Sequence, residues 1–188
     1  MRLELKNLYK YYEQRTFLKK EKKSILENIN LTLDEGDILG LIGKNGAGKT
    51  TLLKMIVGLI EPSDGKIVFK NEERPLFGYT SCNPRSFFWR LSSRDNLIFY
   101  GKMLGLNNKE CADNIENISN ILEITHILDM PFMHLSSGQM QSVNIARAIL
   151  RKPDFLLLDE PTTSLDYEAS ISIINALKKY LNEYRIPA

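Results

Sequence analysis

The residues Gly43-Lys44-Asn45-Gly46-Ala47-Gly48-Lys49-Thr50 fit the pattern G-x-x-x-x-G-K-[ST] at every constrained position. Glycines let a backbone turn tightly enough for its N–H groups to converge on an anion, and a helix that starts there adds its own free amides. The chemistry such a loop can do is to hold the phosphate chain of a nucleoside triphosphate. Lys49 would reach the β- and γ-phosphates, and the Thr50 hydroxyl would hold Mg²⁺. A second constellation stands far downstream, where the apolar run Phe155-Leu156-Leu157-Leu158 ends on Asp159-Glu160. In an open parallel sheet, side chains at the carboxyl ends of strands face the ligand crevice. Asp159 there can share Mg²⁺ with Thr50, directly or through water, and Glu160 can polarise the water that attacks the γ-phosphate.

These residues need a strand–turn–helix frame, and the flanking sequence supplies one. Ile38-Leu39-Gly40-Leu41-Ile42 is a short apolar run that predicts a buried parallel strand. After Thr50, Leu52, Leu53 and Ile56 recur at helical spacing, and Gly58 offers a stop. Ahead of the loop, Leu3, Leu5 and Leu8 alternate with polar residues, as do Ile29, Leu31 and Leu33, so two half-buried strands are expected. The polar stretch from Glu13 to Ser24, with Lys19-Lys20-Glu21-Lys22-Lys23, predicts a solvated loop between them, an interaction patch being the other reading of the lysines. Lys66-Ile67-Val68-Phe69 and the residues around Phe77-Gly78-Tyr79-Thr80 predict further strands. From Asn83 the character changes to helical periodicity. Ser92 caps a predicted helix that carries Leu97, Ile98, Tyr100 and Met103-Leu104 and stops at Gly105, and a second runs over about 109–122. The expected inserted helical lobe spans about Ser86 to Leu135. Leu135-Ser136-Ser137-Gly138-Gln139 then opens another helix, and a last one is expected over about 167–183.

Whole-chain properties narrow the classes. With 188 residues the chain is sized for one domain. A composition of 43% hydrophobic and 26% charged residues is that of an ordinary globular protein, and a net charge of +2 gives no strong argument for nucleic acid or an anionic surface, so no nucleic-acid partner is expected. Cys82 and Cys111 form neither a metal pattern nor a disulfide framework. No stretch is long and apolar enough to span a bilayer, and the opening residues alternate and carry charge, unlike a secretory leader. Any membrane role is therefore expected to come through a partner.

The phosphate loop, Leu135-Ser136-Ser137-Gly138-Gln139 and Leu156-Leu157-Leu158-Asp159-Glu160-Pro161-Thr162 recur in an order that resembles the nucleotide-binding subunit of ATP-binding cassette (ABC) transporters. The resemblance runs from Leu3 to about Tyr184. It implies an α/β fold: a P-loop NTPase with a RecA-like core, an antiparallel β element, and an inserted helical subdomain. The core would be about 1–85 and 136–188, and the subdomain about 86–135. It implies ATP and Mg²⁺ as cofactors. Lys49 and Glu160 would be catalytic, and Thr50, Asp159 and Asn83 would be the metal-binding residues. Nucleotide contacts would come from Gly43, Lys44, Asn45, Gly46, Ala47, Gly48, Lys49, Thr50 and Thr51. Tyr12 resembles the aromatic that stacks on adenine, with Tyr11 as its rival. Ser136, Ser137, Gly138 and Gln139 resemble the signature segment that reaches the nucleotide of an opposing subunit, and Ser164-Leu165-Asp166 the loop that couples the two sites. The implied partners are a second ATP-binding subunit, in a homo- or heterodimer, and a transmembrane permease. The implied place is cytoplasmic, at the inner face of the cell membrane.

The sequence departs from the family pattern in three places. Ser137 stands where glycine is usual. At the junction into the lobe, Thr80-Ser81-Cys82-Asn83-Pro84 contains no glutamine, and Asn83 is the nearest carboxamide. The stretch Arg85-Ser86-Phe87-Phe88-Trp89-Arg90-Leu91 that follows resembles exporter-type (ABC-2-like) subunits, its aromatics suited either to a membrane subunit's helix or to packing within the lobe. The third departure is the family's switch histidine, which falls beyond Ala188. His126 and His134 precede or flank the signature and read as ordinary surface or packing residues. A C-terminally truncated piece is the expectation. The alternatives are an ABC-type ATPase not linked to a membrane and a fragment that binds nucleotide without hydrolysing it.

Overall fold

The computed structural model describes residues 2–16, 19–70, 74–81, 86–163 and 165–188, and the chain divides into two compact units between Pro75 and Leu76.

The first unit is built on three antiparallel strands, β1 (Arg2–Thr16), β2 (Lys19–Asp34) and β3 (Asp64–Phe69), in the order β2-β1-β3. Alternation decides which face is covered. Leu3, Leu5 and Leu8 of β1 and Leu26 and Leu33 of β2 are buried, while Lys6, Asn28 and Thr32 are exposed. The β1–β2 ladder continues well past the apolar residues, pairing Tyr12 with Lys23, Glu13 with Lys22 and Thr16 with Lys19. The expected solvated loop over 13–24 is therefore corrected: most of that stretch is the outer part of a hairpin. Main-chain hydrogen bonds hold such a ribbon whatever its side chains are, and opposite charges face each other at Glu13 and Lys22.

Helix α1 (Lys49–Val57) follows the phosphate loop and buries Leu52, Leu53, Met55 and Ile56. It ends where expected, at Gly58, whose φ of 80 carries the chain out through a left-handed turn. The strand predicted over Ile38–Ile42 is not formed. These residues have no strand pairing among the described residues, and Ile42 is 100% exposed. An all-apolar strand is stable only when neighbouring elements satisfy its backbone and cover both faces, and among the described residues this segment has neither.

The second unit pairs two parallel strands, β4 (Phe77–Thr80) and β5 (Phe155–Leu158), in register from Phe77 opposite Phe155 to Thr80 opposite Leu158. Around them lie α2 (Ser93–Met103), α3 (Asn108–Ile121), α4 (Ser137–Ile149) and α5 (Tyr167–Tyr184), with short 3₁₀ turns at Thr125–Ile127 and Phe132–His134. Local signals set the helix starts. Ser92 accepts the Asp95 N–H, and Asn107 forms a reciprocal capping box with Glu110. Leu97, Ile115, Ile127, Phe132, Val143, Ile145, Ile149 and Leu156 make the core, with the Phe87 ring stacked 4.3 Å from that of Phe132. Strand β4 lies so close to α4 that a side chain at Gly78 would collide with the Ala148 carbonyl oxygen. Among the described residues no helix is long and apolar enough to cross a membrane.

Candidate functional site

The phosphate loop lies in the first unit. Gly46 and Gly48 take φ values of 83 and 92, a region that only glycine enters at little cost. Gly48 is also the N-cap of α1, and the first bond of the helix runs from the Leu52 N–H to the Gly48 carbonyl. The amides ahead of it are those a helix N-terminus offers to an anion. Within the loop the Ala47 N–H donates to the Lys44 carbonyl at 3.1 Å. Lys49 bends back over it, its Nζ donating to the carbonyls of Gly43 at 2.8 Å and Lys44 at 3.2 Å. The ammonium is thus held over the loop by oxygens that phosphate oxygens can replace. Thr50 and Thr51 begin the helix directly after it. Two turning glycines, a lysine aimed into the loop and a helix start are the parts a phosphate chain requires, and they fit it.

The second unit holds the acidic pair. The Asp159 N–H donates to the Thr80 carbonyl at 3.1 Å, which carries the β4–β5 ladder one residue beyond Leu158 and leaves Asp159 buried at the strand's carboxyl end. Glu160 is exposed and has φ 51, in the left-handed region, although the residue before a proline normally stays extended. Its carboxylate accepts the Thr163 hydroxyl at 3.1 Å, and its carbonyl accepts the Thr163 N–H at 3.2 Å. Thr163 was not among the residues the sequence singled out. An oxygen-bearing side chain three residues after an acid is the signal that could have marked it. Thr50 in the first unit and Asp159 in the second each carry a hard oxygen of the kind Mg²⁺ takes from protein. Among the described residues no group of three or more His, Cys, Asp or Glu forms a metal cage. Asn83, the third expected ligand, lies outside the described residues, as does Ser164.

The signature segment starts α4 through a capping box. Ser136 Oγ accepts the Gln139 N–H at 3.2 Å, and Gln139 Oε1 accepts the Ser136 N–H at 2.9 Å. Ser136 and Ser137 are exposed. A side chain at Gly138 would touch Ala169 Cβ at 3.4 Å and Leu165 Cδ2 at 3.9 Å, so the structure brings this helix start beside the Leu165-Asp166 loop. Asp166 has a local task, its carboxylate accepting the Ala169 N–H at 2.8 Å as the N-cap of α5.

Of the two tyrosines, Tyr12 is the exposed one, with the Lys10 ammonium 5.1 Å from its ring centre, whereas Tyr11 is half-buried beneath Lys22. His126 and His134 both sit exposed in 3₁₀ turns. The aromatic stretch divides: Phe87 is core, while Phe88 and Trp89 are about half exposed. Arg147 was also not singled out. Its guanidinium lies over the rings of Phe87 and Tyr100 and donates to Ser86 Oγ at 2.6 Å and Asn144 Oδ1 at 2.7 Å, and burial pushes its pKa down. With the Asn144 amide on the Ser81 carbonyl at 3.0 Å, α4 pins both ends of the junction between β4 and the helices. A polar pair at helical spacing on an otherwise apolar face was the signal.

Known proteins match this combination. The family model of the ABC transporter fits residues 26–163. The chain is 33% identical over 175 residues to the ABC transporter ATP-binding protein NatA of Bacillus subtilis, covering 89% of this chain and 70% of NatA. It is 38% identical over 164 residues to the zinc import ATP-binding protein ZnuC of Buchnera aphidicola, covering 87% of this chain and 65% of ZnuC. Among solved structures, cbiO1 of Clostridium perfringens, part of the ABC transporter complex cbiONQ, superposes with a TM-score of 0.83 at 26% identity, over 98% of this chain and 75% of that one. The ATP-binding cassette MJ0796 bound to ADP and Pi superposes with a TM-score of 0.80 at 25% identity, over 98% of this chain and 84% of that one. The chain belongs to the ABC transporter family, as one of its nucleotide-binding ATPase chains.

Proposed function

We propose that this chain binds Mg²⁺–ATP, hydrolyses it, and passes the resulting motion to a separate transmembrane permease. In this reading it is one ABC ATP-binding domain, with a core of about 1–85 and 136–188 and a helical subdomain of about 86–135. It works at the inner face of the cell membrane, paired with a second ATP-binding subunit. The observation that carries the reading is the phosphate loop, with Gly46 and Gly48 in left-handed conformations and Lys49 bent over the Gly43 and Lys44 carbonyls.

Each residue then has a physical role. The loop amides from Gly43 to Thr51 cradle the phosphates, and Lys49 trades its carbonyl partners for β- and γ-phosphate oxygens. Tyr12 offers an exposed ring for the adenine face. Thr50, Asp159 and Asn83 would hold Mg²⁺, which when bound neutralises charge on the phosphate oxygens. Glu160 accepts a proton from the attacking water as the water oxygen bonds to phosphorus and ADP leaves. Ser136 to Gln139, at the start of α4, would present amides and hydroxyls to the γ-phosphate held by the partner subunit, and Asp166 would couple the two sites. The exposed Phe88 and Trp89 support docking of an exporter-type membrane subunit on the helical part. The experiment is ATP affinity measured for the protein and its Lys49→Ala variant. Binding is expected to disappear in the variant, and a variant that binds ATP normally overturns the phosphate-loop reading.

A further inference from the structure

The residue three positions after Glu160 lies at the start of the loop that leads to Asp166. In this chain that residue is bonded to Glu160 twice. The Thr163 hydroxyl donates to Glu160 Oε2 at 3.1 Å, and the Thr163 N–H donates to the Glu160 carbonyl at 3.2 Å. Glu160 needs such support for two reasons. Its φ of 51 is one that side-chain-bearing residues adopt at a cost, so its backbone must be held from outside. Its carboxylate is exposed, and a free exposed glutamate samples several rotamers, most of them unsuited to orienting a water. The main-chain bond fixes where the side chain departs. The hydroxyl bond fixes where it ends by engaging Oε2 and not Oε1.

We propose that Thr163 is a positioning residue for Glu160, holding its carboxylate by one oxygen so that the other is presented in a single orientation to the attacking water. The inference rests on the proposed role of Glu160 as the proton acceptor. Thr163 touches neither ATP nor the metal in this scheme. Removing its hydroxyl therefore lowers the rate of the chemical step and leaves substrate binding alone.

The test is steady-state ATP hydrolysis and ATP affinity for the full gene product and four variants: Thr163→Val, Thr163→Ser, Glu160→Gln and the Thr163→Val/Glu160→Gln double variant. Valine keeps the branched shape and the main-chain bond but donates nothing. Thr163→Val should lower kcat by about 2- to 10-fold, the worth of one exposed hydrogen bond, with KM and ATP affinity unchanged. Thr163→Ser restores a donor and should recover kcat to within about 2-fold of the parent. In the Glu160→Gln background the valine substitution should add nothing to the residual rate, because the group it positions is already gone. Undiminished kcat in Thr163→Val, equal losses in the valine and serine variants, or a further fall in the double variant would each overturn the proposal. If Glu160→Gln itself hydrolyses ATP at the parental rate, what fails is the underlying assignment of Glu160, and the two failures are told apart.

Discussion

At Gly48 the backbone sits at φ 92, and a Cβ added there would lie 2.8 Å from Leu26 Cδ2, 3.1 Å from Ile25 Cγ2 and 3.1 Å from the Ile25 carbonyl oxygen. Gly48→Ala is thus penalised twice. Placing a side-chain-bearing residue in the left-handed region costs roughly 1–2 kcal/mol. The Leu26 methyl is the end of a flexible side chain and can turn aside, but the Ile25 carbonyl belongs to β2 and moves only with the strand, adding roughly 1–3 kcal/mol of overpacking. Gly46 supplies the internal control. Its φ of 83 is as demanding, yet nothing lies within 4 Å of its added Cβ, so Gly46→Ala should bear the conformational cost alone. Urea unfolding followed by circular dichroism reads the difference. With a slope of about 2 kcal/mol per molar, the Gly48→Ala midpoint should fall about 0.5–1.5 M further than that of Gly46→Ala. Equal midpoints for the two variants would show that β2 does not press on the loop and would refute the packing argument.

Two further outcomes follow from the second unit. Phe132→Ala empties the place of a fully buried ring that stacks on Phe87 and meets Trp89 edge-on, so calorimetry should show a loss of about 3–5 kcal/mol. The second concerns acid. A hydrogen bond from Arg94 at 2.7 Å holds the exposed Asp129 carboxyl below its usual range, so the pair's small contribution is present above that range and is lost as pH falls through the lowered value. Asp129→Asn should therefore flatten the stability curve only below about pH 4, and a difference in slope near neutral pH would count against the ion pair.

What could be read from the residues, and what could not, divides by the range of the forces involved. Helix starts at Ser92 and at Ser136 are local events, written in a capping oxygen and the residue three positions on, and the structure has them where the sequence places them. The phosphate loop is similarly local, because its glycines and lysine carry their own geometry. The hairpin beyond Tyr11 was hidden because both its faces are polar, so no period of two marks it and only the cross-strand ladder holds it. Ile38–Ile42 misleads in the opposite sense. Its composition is that of a buried strand, but burial depends on neighbours that no short window contains. The left-handed turn at Glu160 was equally invisible, since Pro161 argues for an extended residue before it.

The most direct test of the central claim compares ATP affinity with ATP turnover in the parent protein and Glu160→Gln. The amide keeps the shape of the carboxylate but cannot take up a proton, so binding should be retained while hydrolysis falls by about 100-fold or more. A variant that turns over ATP at the parental rate, or a parent that binds no ATP in the presence of Mg²⁺, would contradict the account.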